Sequence, residues 1–145
     1  MYSEKRYAVR SVLTATAEDL TSVATMLSSF VFGSQMQVRK LLLIISTATV
    51  SPTSSCVVTF WRRPTLGSDA GRVSLGTLTI PTATAAGKVY YKDIDDVVFA
   101  PGEELLVTVT TACAGAGAAG KGYPDFECYD CPEAPKNQTN VVASA

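Results

Sequence analysis

The sequence has 145 residues, 47% of them hydrophobic and 17% charged, a composition typical of one globular domain and unlike that of a disordered chain. The formal net charge is −1, from 12 basic and 13 acidic residues spread thinly along the chain, and no basic patch indicates a nucleic-acid partner. Histidine, the commonest general base and metal ligand, is absent, so we expect a protein that is not an enzyme and has no catalytic, metal or cofactor site.

The hydrophobic residues predict no membrane partner. The longest unbroken apolar run, Leu41 to Ile45, is far too short to span a bilayer. The segment Met1 to Arg10 carries charges and lacks the apolar stretch of a signal peptide, which predicts synthesis and assembly in a cytoplasm.

Valine and threonine are heavily used, and apolar residues alternate with polar ones between turn signals, a pattern typical of half-buried β-strands. In chain order, this pattern predicts strands at Tyr7–Thr14, Thr25–Phe32, Gln37–Thr47, Cys56–Trp61, Arg72–Ile80, Lys88–Asp93, Glu104–Ala112 and Tyr123–Cys128.

The segment from Ala17 to Phe32 is compatible with a helix or a strand. Leu20, Val23 and Leu27 lie near helical spacing behind a threonine that is a suitable N-cap. The serines and threonines are weak helix formers, however, and the aromatic and β-branched residues at its end favour a strand. We therefore predict a strand over about Thr25 to Phe32.

One predicted strand contains an irregularity. Between Arg72 and Ile80 the apolar residues change face after Leu75, and Gly76 lies at the change. An extra residue at a glycine is typical of a β-bulge, so we expect a bulge there that redirects the strand.

Seven or eight short strands without a strong helix between them predict an all-β fold, an antiparallel β-sandwich of the jelly-roll kind. We expect residues 1–131 to form this domain. The tail, residues 132–145, contains two prolines and mostly polar residues, which predicts an extended C-terminal arm, disordered or ordered only on a neighbouring molecule.

Four cysteines form the sharpest local feature. Cys128 and Cys131 form a C-x-x-C pair, whereas Cys56 and Cys113 stand alone. One pair does not supply the two ligand pairs of a typical zinc site, and a proline-flanked C-terminal segment does not fit a thioredoxin-like motif. The pair at 128 and 131 is therefore either a disulfide, within the chain or between subunits, or two idle thiols.

Several polar groups have simple interpretations. Arg62 and Arg63 open a long loop and either bind a partner's anionic group or end a strand in solvent. Glu103 and Glu104 are expected to be solvated charges at a turn. The glycine-rich segment Ala114 to Gly122 lacks the hydroxyl and the helix of a phosphate-binding loop, which predicts a flexible loop or a close-packed contact.

Several short segments together resemble small virion-associated proteins of tailed phages. These segments are Arg63–Gly71, Leu75–Pro81, Thr84–Asp93, Pro101–Glu103 and, in the tail, Glu133–Asn140. The resemblance extends over about residues 36–145 and is weaker in the first 35 positions.

The resemblance implies a jelly-roll capsid decoration protein, also called a cement protein. Such a protein binds the outer surface of a virion's capsid shell as a homo-oligomer on the lattice and clamps neighbouring major capsid proteins together. Its contact residues would be exposed loop and arm positions, here Arg62, Arg63 and Asp69.

Two other functions are compatible with the sequence. One is a different virion component, such as a head fibre base, a tail protein or a receptor-binding protein. The other is a carbohydrate-binding β-sandwich module, for which Trp61, Tyr90 and Tyr91 would have to supply the aromatic surface.

Overall fold

The computed structural model describes residues 7–11, 16–30 and 35–131. All regular secondary structure within these ranges is β-strand. The ten strands are β1 Tyr7–Ser11, β2 Glu18–Asp19, β3 Thr25–Phe30, β4 Gln35–Val50, β5 Cys56–Arg63, β6 Val73–Ile80, β7 Ala83–Thr84, β8 Val89–Phe99, β9 Glu104–Thr111 and β10 Ala119–Cys131. Within those ranges, no helix is long and apolar enough to cross a membrane. The arm predicted over residues 132–145 lies outside the described residues.

The strands form two antiparallel sheets packed face to face, which confirms the predicted β-sandwich. The six-stranded sheet has the order β1-β10-β4-β7, with β2 beside β10 and β8 beside β4. The four-stranded sheet has the order β3-β9-β5-β6. Because β4 and β10 lie at the centre of the larger sheet and are its longest strands, they form the frame on which the other strands of this sheet pair.

The core lies between the sheets and is built from alternate residues of the central strands, as a period of two requires. Phe60 from one sheet meets Phe126 from the other edge-to-face, with ring centroids 5.3 Å apart. The other fully buried large apolar side chains are Leu20, Leu41, Leu43, Ile45, Ile80, Phe99, Leu105 and Leu106. All of these except Leu106 belong to one continuous core cluster.

The ambiguous segment contains a strand, as predicted. β3 covers Thr25–Phe30 and pairs with β9, and Met26 and Leu27 are buried against the core. The last two positions of the predicted strand, 31 and 32, lie outside the described residues. Tertiary pairing with β9 therefore outweighs the helical spacing of the leucines and valines.

The bulge predicted at Gly76 is also present. Phe60 pairs with Gly76 and the next residue of β5, Trp61, pairs with Ser74, so one residue of β6 is left over. A Cβ atom at Gly76 would lie 3.2 Å from Leu41 Cδ1 and 3.3 Å from Lys92 Cδ. The glycine therefore lets the edge strand β6 approach the larger sheet closely and close this side of the sandwich.

The glycine-rich segment was only partly predicted. From Ala119 onward it belongs to β10, so the expectation of a loop is wrong there and the close-packed alternative is correct. A Cβ atom at Gly122 would lie 3.0 Å from the carbonyl oxygen of Ile44. Pro124, which lacks an N–H, falls in the stretch of β10 between its pairings with β2 and β1, where no donor is needed on that side.

Candidate functional site

The longest strand of the fold is apolar on both faces. In β4, Leu41, Leu43 and Ile45 are buried in the core, while Leu42 and Ile44 point to the outside and are half-buried. An antiparallel sheet with one face in solvent normally alternates apolar and polar residues. The outer face of the six-stranded sheet departs from this rule at its centre.

Strand register gathers further apolar side chains around these two. Val89 and Tyr123 lie opposite Ile44 on either side, and Tyr91 lies opposite Leu42. Tyr91 is 60% exposed and Val89 is 49% exposed. We call Leu42, Ile44, Val89, Tyr91 and Tyr123 the outer apolar patch, and contiguous exposed apolar surface of this kind marks sites of protein association.

Charged side chains border the outer apolar patch. The Lys40 ammonium lies 3.6 Å from Asp93 Oδ1 and 4.9 Å from the centre of the Tyr91 ring. Asp125 lies opposite Leu42 on β10, and Glu127 lies opposite Lys40. An apolar centre within a polar rim of both charge signs is the usual composition of a protein–protein interface.

The rim continues beyond Glu127 along β10. The Arg39 guanidinium lies 5.1 Å from the centre of the Tyr129 ring, and the Tyr129 hydroxyl donates to Glu127 Oε1 at 2.7 Å. That hydrogen bond to a carboxylate raises the pKa of Tyr129. Arg39 and Glu127 therefore hold the Tyr129 ring and hydroxyl within the charged rim.

The arginines predicted as partner contacts are paired within the chain. Arg62 makes two hydrogen bonds with Glu103, from Nε to Oε2 at 2.7 Å and from Nη2 to Oε1 at 2.8 Å. Arg63 Nη1 donates to Glu104 Oε2 at 3.0 Å, and its Nη2 lies 2.8 Å from Asp69 Oδ1. These pairs hold the loop between β5 and β6 against its own sheet; that the same residues contact a partner stays a prediction.

Glu104 is the centre of this network. Its carboxylate accepts hydrogen bonds from Ser28 Oγ, from the Gly67 backbone N–H and from Arg63, and the residue is 1% exposed. Burial by itself would raise the pKa of Glu104, but these donors outweigh it and lower the pKa below the ordinary value. The expectation that Glu103 and Glu104 are solvated is therefore wrong.

Sequence reasoning missed this pairing because its two halves are about forty residues apart. The signal was present in the form of two adjacent arginines that end one strand and two adjacent glutamates that open another. Antiparallel pairing places Arg63 opposite Glu104, a register that the sequence alone does not specify.

The C-x-x-C pair, Cys128 and Cys131, lies within a single strand. Cys128 is buried, with Sγ 3.5 Å from the Phe126 carbonyl oxygen, and both Cys128 and Cys131 lie in the continuous strand β10. Three residues of extended strand separate α-carbons by roughly 10 Å, beyond the roughly 7 Å limit for a disulfide. An internal bridge between them is incompatible with this strand, whereas a bond between subunits stays a prediction.

The three aromatic residues considered for carbohydrate binding do not share a surface. Trp61 lies on the four-stranded sheet, beneath the Arg72 guanidinium at 3.9 Å from the ring centre. Tyr90 packs against the core and its hydroxyl lies 3.1 Å from Thr84 Oγ1, while Tyr91 lies in the outer apolar patch. These three residues therefore do not form an aromatic platform for a sugar.

An open groove of about 740 Å³ lies where the edges of the two sheets meet, between β6 and β8. It is lined by Val73, Leu75, Ile94 and Val97 together with charged residues, among them Arg62 and Asp93. Arg62 and Asp93 are already paired within the chain, with Glu103 and Lys40 respectively. A small-molecule site usually has unpaired polar groups that converge on the ligand, and neither Arg62 nor Asp93 is such a group.

No protein-family model matches this sequence, and no curated protein matches it. Among solved structures, the chain is similar to one in the structure of infectious bursal disease virus Gx strain, with a TM-score of 0.34 and 11% sequence identity. The match covers 86% of this chain and 33% of that chain, so this chain spans about a third of the other's length. A likeness at this level carries no argument about function.

Proposed function

We propose that this chain is a non-enzymatic structural protein of a tailed-phage virion, a decoration protein that binds the outside of the capsid shell. Its partner would be the major capsid protein, and its effect would be to stabilise contacts between neighbouring capsid subunits. The sequence resemblance over about residues 36–145 supports a role in the virion, and the outer apolar patch supports a role in docking.

The outer apolar patch is the observation that carries the proposal. Leu42, Ile44 and Tyr123 lie side by side on the central strands, and Tyr91 and Val89 extend the surface to the edge strand. Covering such a surface removes apolar area from water, which is favourable by about 25 cal/mol per Å². A sheet face of this kind gains from a protein partner.

The surrounding structure suits a rigid docking module. Sheet residues position the patch, so little conformational entropy is lost when it binds. Each bound copy adds its binding free energy to the assembled shell and none to the dissociated subunits, which is how mass action makes an intact shell more stable.

Co-sedimentation tests the proposal directly. Purified protein is mixed with capsids of the virus that encodes it, assembled without it, and the bound fraction is measured across a concentration series. We expect saturation at a fixed ratio to the major capsid protein and a higher disruption temperature of the decorated shells. Absence of saturable binding at micromolar concentrations would overturn the proposal.

The outcome also separates the proposal from a different virion role. A receptor-binding protein would bind host cells in the absence of capsids, so a parallel sedimentation with host cells is included. Binding to cells without binding to shells would favour the receptor-binding alternative over decoration.

A further inference from the structure

Two cysteines that are far apart in the sequence are neighbours in the fold. Cys56 begins β5, and Cys113 lies two residues beyond the end of β9. The pairing of Val57 with Thr111 and the bridge between Ser54 and Ala114 bracket the two cysteines. This register places Cys56 opposite Ala112, so Cys113 is offset by one residue across the roughly 4.5–5.5 Å that separates adjacent strands, which keeps the two cysteines within the roughly 7 Å reach of a disulfide.

The two side chains face each other inside the core. Cys56 is 0% exposed and Cys113 is 2% exposed, and both belong to the core cluster as free thiols. Burial together with the neighbouring Cys113 thiol raises the pKa of the Cys56 thiol to about 12. The geometry thus brings two sulfur atoms together in a place that reagents reach slowly.

We propose that Cys56 and Cys113 form an intrachain disulfide when the protein meets a disulfide oxidant, such as the oxidised form of a low-molecular-weight thiol. The bond would join the start of β5 to the segment that follows β9 and fix one end of the two central strands of the four-stranded sheet. This inference rests on the packing of the two thiols and does not depend on the proposed function.

The reaction is ordinary thiol–disulfide exchange. One cysteine loses its proton and its thiolate attacks a sulfur of the oxidant, forming a mixed disulfide and releasing one small thiol. The second cysteine then attacks the protein sulfur of the mixed disulfide and releases the second small thiol. The protein loses two protons and two electrons, and the oxidant takes up both and is reduced to two thiols.

The burial of both thiols sets the expected rate. Because both thiols are buried and the Cys56 thiolate is scarce at neutral pH, we expect exchange to require transient local opening and to take hours. Raising the pH from 7 to 9 is expected to accelerate it. The bond closes a 58-residue loop, counted from Cys56 to Cys113, and is expected to raise Tm by roughly 5–15 °C.

Peptide mapping under non-reducing conditions tests the proposal. The folded protein is incubated with glutathione disulfide at pH 8.5, remaining thiols are alkylated in denaturant, and the chain is digested with trypsin. Cys56 falls in the tryptic peptide 41–62, Cys113 in 93–121, and Cys128 and Cys131 together in 122–136. The expected product is peptide 41–62 linked to 93–121, two hydrogens lighter than the sum of the two.

Single substitutions provide the controls, with valine chosen because a buried cysteine packs as a small apolar residue. Cys128→Val is expected to keep both the linked peptide and the rise in Tm, whereas Cys56→Val and Cys113→Val are each expected to lose both. Cys56→Val and Cys113→Val each remove one thiol of the pair, so the control needs only one of these two variants to fold. The proposal is overturned if peptide 41–62 is found alkylated, as a mixed disulfide with glutathione, or linked to peptide 122–136. It is also overturned if the bond between peptides 41–62 and 93–121 forms and Tm does not change.

Discussion

The two outer faces of the sandwich differ in how their side chains are satisfied. On the four-stranded sheet, Trp61 Nε1 donates to Thr108 Oγ1 at 2.9 Å, and Thr59 and Thr110 join their hydroxyls at 2.9 Å. The loop between β5 and β6 is bound to that sheet by the Arg63–Glu104 pair. On the six-stranded sheet the outer apolar patch has no such cover among the described residues.

This difference indicates which face is built for association. A face whose polar groups are paired within the chain gains little from a partner, since new contacts must replace existing hydrogen bonds. An apolar face within a charged rim gains by leaving water. We therefore expect substitutions on the first face to change stability and substitutions on the second to change binding.

The largest expected effect is on stability, from Glu104→Ala. Removing the carboxylate leaves the Arg63 guanidinium, 16% exposed, without its buried partner and releases the loop from Gly67. Breaking a buried pair in this way costs about 3–5 kcal/mol. Urea unfolding measures the loss, while capsid binding of the protein that remains folded is expected to be unchanged. A decrease below about 1 kcal/mol would show that the network does not hold the loop.

The next effect is on binding, from Tyr91→Ala. Truncating an exposed aromatic that is buried in an interface typically weakens binding about 10- to 100-fold. Because Tyr91 is 60% exposed, the stability of the free protein is expected to change by less than about 1 kcal/mol. The matched control is Thr77→Ala, an exposed residue of β6 in the four-stranded sheet, which is expected to leave both quantities unchanged. Equal loss of binding in both variants would remove the distinction between the faces.

A smaller effect is expected from acid. Because the folded-state pKa of Glu104 is lowered from 4.5, its contribution to stability is complete above that pH and is lost as the pH falls through the folded-state value. Glu104→Gln is therefore expected to be less stable than the unmodified protein at pH 7, with the difference shrinking below pH 4.5. A difference that stays constant down to pH 2.5 would contradict the account of this carboxylate.

The smallest effect is expected at the rim, from Asp93→Asn. The Lys40–Asp93 pair is solvent-exposed, with 73% of the Asp93 side chain accessible, and such pairs contribute at most about 1 kcal/mol. We expect no measurable change in Tm and a weaker dependence of capsid binding on salt, since rim charges act mainly on the association rate. Binding kinetics at two salt concentrations measure this; an unchanged salt dependence would place the residue outside the interface.

The sequence predicted the sandwich well because the alternation of apolar and polar residues along a strand indicates directly which of them are buried. It also located the bulge, since Gly76 lies where the apolar residues change face. It did not predict that Glu103 and Glu104 are buried, because their arginine partners come from another strand. The outer apolar patch and the Cys56–Cys113 pair were missed for the same reason, since both depend on register between strands distant in sequence.

Hydroxyl-radical footprinting of the shell-bound protein tests the central claim most directly. Side-chain oxidation is compared by mass spectrometry between the free protein and the protein bound to capsids. If the outer apolar patch docks on the shell, Tyr91 and Tyr123 become protected on binding while Trp61, on the opposite sheet, reacts equally in both states. Protection of Trp61 with continued oxidation of Tyr91 would contradict the assignment of the docking face.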